Sequence, residues 1–222
     1  MIYDLCIYGH LTIDRVFNGF NESVSLGAMA NVWHALTIID PSINVKLCPS
    51  ALGEAMIVVN RNNSERVGRA NLNMFETASK AEQASWHHIM YLNALNDASF
   101  ISSIDSGIIS ADITAGNCET ILPFLDKIDF LFISDEDLFT EIDKLASLVK
   151  GRVILHSPDG SIVADGNGEH LVTKIKPIGS LNVLGAGDIF AASFISAFLA
   201  TECLETSIDI SHKTTTSILL NR

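Results

Sequence analysis

A chain of 222 residues that is 48% hydrophobic and only 18% charged has the apolar content for one α/β domain with a substantial core, which excludes disorder. Its formal net charge of −12 excludes a nucleic-acid backbone as the main partner, because tracking phosphates needs a basic face. The four cysteines, Cys6, Cys48, Cys118 and Cys203, are scattered without a Cys-x-x-Cys pair; this points away from zinc or a disulfide framework and towards reduced thiols in a cytoplasmic protein.

The opening stretch, residues 1–7, is apolar but lacks a basic leader and is interrupted by Asp4, so it reads as a first strand rather than a signal peptide. No apolar run reaches the roughly 18–20 residues that a membrane-spanning helix requires. Residues 5–8 form a short apolar run ending at Gly9, as expected of a buried parallel strand whose C-terminal end meets a loop, where ligands gather. In that loop His10 reads as a pocket donor or a water-facing histidine. Asp14 reads as a ligand-holding carboxylate or as a turn residue bonding its own backbone. Residues 25–36 read as a turn into a helix, small residues first and apolar ones after, with Gly27 at the turn and Asn31 offering both a donor and an acceptor.

Residues 44–48 and 56–60 are two candidate strands, followed by a polar turn over 61–66. An apolar run over 88–92 is the next strand, and Trp86, His87 and His88 before it read as packing rather than a cofactor cluster. Residues 107–112 form a further strand ending in Asp112. Residues 129–133 read as a buried strand, after which Ser134 is the expected N-cap of an acidic-started helix running through Leu145 and Val149. A strand over 152–156 leads into Ser157-Pro158-Asp159-Gly160, which has strong turn chemistry. Residues 162–172 read as a β-hairpin around Gly166-Asn167-Gly168, and residues 208–220 as a closing helix. From Gly107 onward strands and helices alternate, which predicts a parallel sheet covered on both faces with a pocket at the strand C-termini.

Between the hairpin and the closing helix, Gly185-Ala186-Gly187-Asp188 opens an apolar helical run. Glycines there let the backbone approach a ligand, the helix start offers unpaired N–H groups and a positive dipole end to anionic oxygens, and Asp188 places a carboxylate beside them. A base next to an anion hole is suited to activating a hydroxyl.

With Phe190, this segment resembles the signature Asp-Thr-x-Gly-Ala-Gly-Asp-x-Phe of the ribokinase-like (PfkB) carbohydrate kinases, with Asn182 and Val183 standing for Asp and Thr. Two further segments resemble that family in the expected order. Gly9 to Asp14 fits Gly-x-x-x-x-Asp, and Gly27 and Asn31 fit Gly-Gly-x-Gly-x-Asn, with Leu26 and Met29 replacing glycines. The resemblance implies a single domain over 1–222, a three-layer doubly wound mostly parallel α/β sheet. It also implies a small or absent β lid, whose remnants would fall within 10–26 and 43–66 because the interval from Gly9 to Gly27 is short. It implies ATP-dependent phosphoryl transfer to a hydroxyl of a small sugar-like molecule, with Mg2+. Asp188 would be the base, the amides of Gly185, Ala186 and Gly187 would steady the transferring phosphoryl group, and Asp14, Gly27 and Asn31 would hold the acceptor. Ser157, Gly160 and Asn182 fall at the nucleotide. The family's Asn-x-x-Glu becomes Ser134-x-x-Asp137, with Asp137 touching the metal through water. A diminished lid also implies a second copy of the chain as a partner that closes the pocket. The alternative is a binding or regulatory protein that kept the fold and lost turnover, to which the motif departures point. A dinucleotide oxidoreductase is disfavoured because no Gly-x-Gly-x-x-Gly turn follows the first strand.

Overall fold

The computed structural model describes residues 2–59, 66–74, 80–177 and 183–221. In chain order the elements are β1 (Tyr3–Asn18), β2 (Asn21–Leu26), α1 (Ala28–Ile39), β3 (Val45–Val59), β4 (Arg66–Met74), β5 (Ala84–Ile89), β6 (Ile108–Asp112) and β7 (Phe130–Ser134). They continue with α2 (Ile142–Ala146), β8 (Arg152–Ser157), β9 (Gly160–Asp165), β10 (His170–Lys174), α3 (Ala186–Thr201) and α4 (Leu204–Leu220). The strands form one sheet in the order β10-β9-β8-β7-β6-β5-β1-β3-β4, with β2 paired to β1. The six strands from β8 across to β3 run parallel, and the pairings of β2, β4, β9 and β10 are antiparallel.

The apolar runs are continuous because both faces of the parallel sheet are covered. Along β1, Leu5 and Ile7 join one core with α1, α3 and α4, whereas Cys6 and Tyr8 join the core on the opposite face. That second face is covered by α2 and by 3-10 segments, Ser99–Ser103 and Glu119–Lys127. The three layers are therefore those expected. Helix α3 is apolar all round because it lies between the sheet and two other helices: Phe190, Phe194 and Phe198 recur at i, i+4 and meet Trp86, Phe130 and Phe132 at ring-centroid distances of 5.1–6.4 Å. No helix among the described residues is long and apolar enough to cross a membrane, and all four cysteines are free thiols.

Several elements differ from the sequence expectation. The two strands expected over 44–48 and 56–60 fall, over 45–48 and 56–59, in one strand, β3, which continues beside β1 well past the core; residue 60 and most of the expected turn over 61–66 lie outside the described residues. The interval from Gly9 to Gly27 holds a hairpin, made by prolonging β1 rather than inserting a separate strand. The register of β1 against β3 slips at Gly9/His10, and such a bulge re-aims a strand. Beyond it β2, β1, β3 and β4 form a small extension, with Asp14 and Val16 buried on one side and Ile13, Leu52, Met56 and Val58 exposed on the other. Trp86, His87 and His88 lie within β5 rather than before it.

The acidic helix expected from Ser134 is instead a 3-10 turn, Asp135–Asp137, separated from the short α2. The Glu136 N–H donates to the Asp135 carboxylate, and the Ser134 hydroxyl turns to Asp135 instead of capping, so side-chain bonds compete with the helical ladder. The closing helix begins earlier than expected, at Leu204.

The sheet interior contains one polar knot. The Trp86 indole N–H donates to Ser110 Oγ at 2.7 Å, and His88 Nδ1 shares a 2.8 Å bond with the same hydroxyl. Both partners are fully buried, and burial holds the His88 imidazole neutral, its pKa pulled down to about 3. Replacing Ser110 by Ala orphans two buried polar groups, each worth about 1–3 kcal/mol. Ser110→Ala is therefore expected to destabilise the fold by about 2–4 kcal/mol in urea denaturation, and a shift under about 0.5 kcal/mol would show the knot to be dispensable.

Candidate active site

The C-terminal ends of β1, β5, β6, β7 and β8 bring Gly9, Met90, Asp112, Ser134 and His156 to one edge of the sheet, and α3 begins against it. Gly185, the residue before α3, has φ +76°, a left-handed conformation that glycine adopts without cost. A Cβ there would lie 3.0 Å from Asn31 Nδ2, so the turn is also closely packed. The Ala186 N–H donates to the Val183 carbonyl at 3.0 Å, which withdraws it from the expected set of three anion-binding amides. Gly187 occupies a helix-start position whose N–H has no intrahelical acceptor. A Cβ on Gly187 would come 3.1 Å from His156 Cε1, so the small residue lets the strand end and the helix start meet. Asp188, in the first turn of α3, is 6% exposed, and its Oδ2 accepts a 2.8 Å hydrogen bond from Asn31 Nδ2. Two sequence segments 157 positions apart thus meet at one carboxylate.

Gly27 and Asp14 stand near Asn31. Gly27 caps α1, and its N–H donates to the Thr12 carbonyl at 3.0 Å; a Cβ at Gly27 would collide with Thr12 Oγ1 at 1.8 Å and approach Asp14 Oδ1 at 3.1 Å. Asp14 is buried on the inner side of the extension and accepts a 2.9 Å bond from the Thr12 hydroxyl. Burial raises its carboxyl above the ordinary aspartate range, against the opposing effect of that bond. Thr12 had no sequence signal of its own, since only contact with Gly27 and Asp14 gives it a role. His10 is half-buried on β1, with its Nε2 shielded and without a hydrogen-bond partner, and burial lowers its imidazole pKa.

Asp112 ends β6. It is buried and accepts the backbone N–H of Tyr91, a residue in the left-handed region at φ +50°. Desolvation raises its pKa well above the ordinary value, opposed by the Tyr91 N–H, and the charges of Asp188 and Asp137 raise it further. Asp112, Asp137 and Asp188 therefore share one electrostatic neighbourhood. No group of three or more His, Cys, Asp or Glu side chains among the described residues is placed to hold a metal ion directly.

On the other side of α3's start a cavity opens between β7, β8, α3 and α4, bounded by Ser134, His156, Ser157, Gly187, Phe190 and His212 among others. Ser157 lines this cavity, its hydroxyl tying the β8–β9 hairpin through Gly160 O at 3.3 Å. Gly160 does not face the cavity. It is buried at φ +137°, where a Cβ would strike the Thr173 carbonyl at 1.9 Å, so its glycine serves the close approach of β10. Asn182 lies outside the described residues. Phe190, matched in the signature without a role, and His156 also line the cavity; His156 had no sequence signal because a histidine at a strand end carries no pattern.

The family model described as pfkB family carbohydrate kinase matches residues 51–219. Among solved structures, the adenosine kinase of Anopheles gambiae in complex with a di(adenosine) tetraphosphate superposes with TM-score 0.80 at 12% identity, covering 99% of this chain and 96% of that one. The nucleoside kinase of Methanocaldococcus jannaschii, described as an archaeal member of the ribokinase family, gives 0.73 at 16% identity, covering 97% and 91%. A pyrophosphate-dependent kinase in the ribokinase family, complexed with a pyrophosphate analogue and myo-inositol, gives 0.71 at 14% identity, covering 97% and 94%. No curated protein sequence matches the chain.

The state of Asp112 sets a pH dependence. A carboxyl whose folded pKa is raised binds its proton more tightly in the native state, so its contribution to stability is greatest below the unfolded aspartate value, about 3.9, and is lost as pH rises through the folded value. Asp112→Asn keeps an acceptor for the Tyr91 N–H but cannot ionise. The variant is expected to melt several degrees above the parent at pH 8, with the gain shrinking towards pH 4. A gain independent of pH would show that Asp112 is not held against its charge.

Proposed function

The chain belongs to the pfkB family of carbohydrate kinases and has its ribokinase-like fold, and from that premise we propose that it transfers a phosphoryl group from ATP to a hydroxyl of a small sugar-like or nucleoside-like molecule. The single observation that carries this reading is the 2.8 Å bond from Asn31 to Asp188, which places an oriented, buried carboxylate at a helix start. In this reading the acceptor lies between the extension and α3. Asp14 accepts hydrogen bonds from its hydroxyls, and the carbonyl of Asn31, whose amide N–H is engaged by Asp188, accepts another. Asp188 takes the proton of the reacting hydroxyl as its oxygen bonds to the terminal phosphorus of ATP, while the bond from that phosphorus to the β–γ bridging oxygen breaks and ADP leaves. The amides of Gly185 and Gly187 meet the equatorial oxygens where negative charge gathers, and the positive end of α3 favours them there. The donor's remaining phosphates and base run into the cavity past Ser157.

Magnesium fits this site through water rather than by direct ligation. Asp112, desolvated by burial, and Asp137 beside it would supply carboxylate charge, and magnesium keeps several waters when it is bound through one or two carboxylates and substrate phosphates. Bound there, it would neutralise the polyphosphate. The chain acts as one domain in this reading, with the β2-β1-β3-β4 extension as a reduced lid. A second copy of the chain would cover the extension's exposed apolar side, where Ile13, Val24, Met56 and Val58 are each more than half exposed.

Incubating the protein with MgATP and panels of sugars and nucleosides, and following ADP release, tests the activity. Asp188→Asn preserves shape and the Asn31 contact but removes the base, and is expected to lower turnover about 10²-fold or more with donor binding retained; wild-type turnover in this variant would refute the mechanism. Because the extension is small, water is expected to compete with the acceptor, giving measurable ADP release without one. Strict acceptor dependence would show that the site closes completely.

A further inference from the structure

Past their last backbone pairing, Ile89 with Ala111, the ends of β5 and β6 stay joined through side chains. The Tyr91 N–H donates to the Asp112 carboxylate, and two residues further along both segments Asn93 meets Thr114. Asn93 Nδ2 donates to the Thr114 carbonyl at 2.7 Å, and its Oδ1 accepts the Thr114 N–H at 3.1 Å. A primary amide offers a donor and an acceptor side by side, and both are directed here at the backbone of one residue. Asn93 itself is firmly seated in a 3-10 turn, Leu92–Ala94: Leu92 is buried in the core, and the Ala94 N–H donates to the Tyr91 carbonyl at 2.7 Å.

The loop that Asn93 grips, residues 113–118, runs from Asp112 to the 3-10 segment Glu119–Lys127. Ile113 and Cys118 bury its two ends in the same core, whereas residues 115–117 are exposed. Cys118 Sγ stands 3.9 Å from Asn93 Nδ2 and 3.7 Å from the Gly116 carbonyl oxygen. Burial pushes the Cys118 thiol up, the charge of Asp137 pushes it further, and that same charge acts on Asp112. The loop therefore lies beside both carboxylates assigned to magnesium.

We infer that Asn93 is a positioning residue, whose paired bonds to Thr114 hold the loop so that Asp112 keeps the place from which it would, with Asp137, orient a hydrated magnesium ion. The inference deepens the kinase reading and rests on its magnesium site. A two-point grip restrains rotation as well as translation of the Thr114 backbone. Asp112 is two residues away, so freedom gained at Thr114 is passed to the carboxylate. Groups that orient a metal's partners without touching the metal govern its affinity for this reason.

The test is calorimetric titration of ATP, with and without excess magnesium chloride, into wild type, Asn93→Ala, Asn93→Ser, Asp112→Asn and the double variant Asn93→Ala with Asp112→Asn, with thermal melts to confirm folding. The quantity read is the gain in ATP affinity that magnesium brings; complexation of ATP by magnesium in solution is common to all these proteins and cancels in the comparison. Expected is a gain about tenfold smaller in Asn93→Ala, the usual cost of losing an outer partner of a metal site, with affinity for metal-free ATP unchanged. Asn93→Ser, which puts one hydroxyl in place of the paired groups, should lose part of the gain. In the Asp112→Asn background Asn93→Ala should remove nothing further, because it acts through that carboxylate. A folded Asn93→Ala or Asn93→Ser variant that keeps the wild-type gain, equal weakening with and without magnesium, or losses that add to those of Asp112→Asn overturns the inference and leaves the kinase reading standing. ATP binding by wild type that magnesium does not strengthen overturns the magnesium site and the inference together, and absence of ATP binding overturns the kinase reading as well.

Discussion

A carboxylate removed from water must be compensated, and the burial of Asp188 at the start of α3 is the constraint to which the rest of the molecule answers. Asn31 supplies one hydrogen bond at 2.8 Å, and the positive end of α3 supplies a favourable field. Neither would be in place unless two helices were fixed to within a few tenths of an ångström. That rigidity comes from apolar packing: Phe190, Phe194 and Phe198 wedge α3 against Trp86, Phe130 and Phe132 of the sheet, while Met29, Val32 and Leu36 seat α1 in the same core. The sheet's covered faces are the means by which a hydrogen bond between residues remote in sequence becomes a fixed distance.

The same neighbourhood gathers three carboxyl groups, and burial holds the Asp112 carboxyl against ionising. Asp112 and Asp137 lie within electrostatic range of one another, and the charge of Asp188 weighs on Asp112 as well. An apolar residue at the end of β6 would satisfy the core better than Asp112 does. In the proposed reading, such repulsion would be relieved when magnesium and hydrogen-bond donors arrive with a ligand, and stability forgone by the free protein would be recovered on binding.

Much of this architecture was legible in the chain. Alternating apolar runs and turns from residue 107 onward indicated a parallel sheet covered on both faces, and Gly185 to Asp188 marked the helix start that became the centre of the site. Segments whose outcome depended on competing local bonds were not legible. Ser134 followed by three acids looks like a capped helix, yet the Asp135 carboxylate takes the Glu136 N–H, and a 3-10 turn results. Two apolar stretches either side of Pro49 and Gly53 look like separate strands, yet pairing with the prolonged β1 carries β3 through both. Glycines misled in a different way. Gly160 sat where a nucleotide motif was expected, but its missing side chain makes room for the Thr173 carbonyl, whereas the cavity beside it is lined by His156, a residue type with no positional signature.

In the proposed reading, in which the extension covers the site, covering the site and assembling it would be mechanically joined. β1 contributes Gly9 to the core edge and, beyond the register slip at Gly9/His10, Thr12 and Asp14 to the extension, so one strand spans both parts. The Gly27 N–H then ties the Thr12 carbonyl to the start of α1, and a side chain at Gly27 would push Thr12 and Asp14 away. One turn further along that helix is Asn31, bonded to Asp188. The residues read as holding the acceptor and the residue that orients the base therefore belong to one connected unit of β1, the hairpin and α1. Any rotation of the extension about the bulge is transmitted through Thr12 and Gly27 to the same helix that carries Asn31, so the position of Asp14 and the orientation of Asp188 are set together.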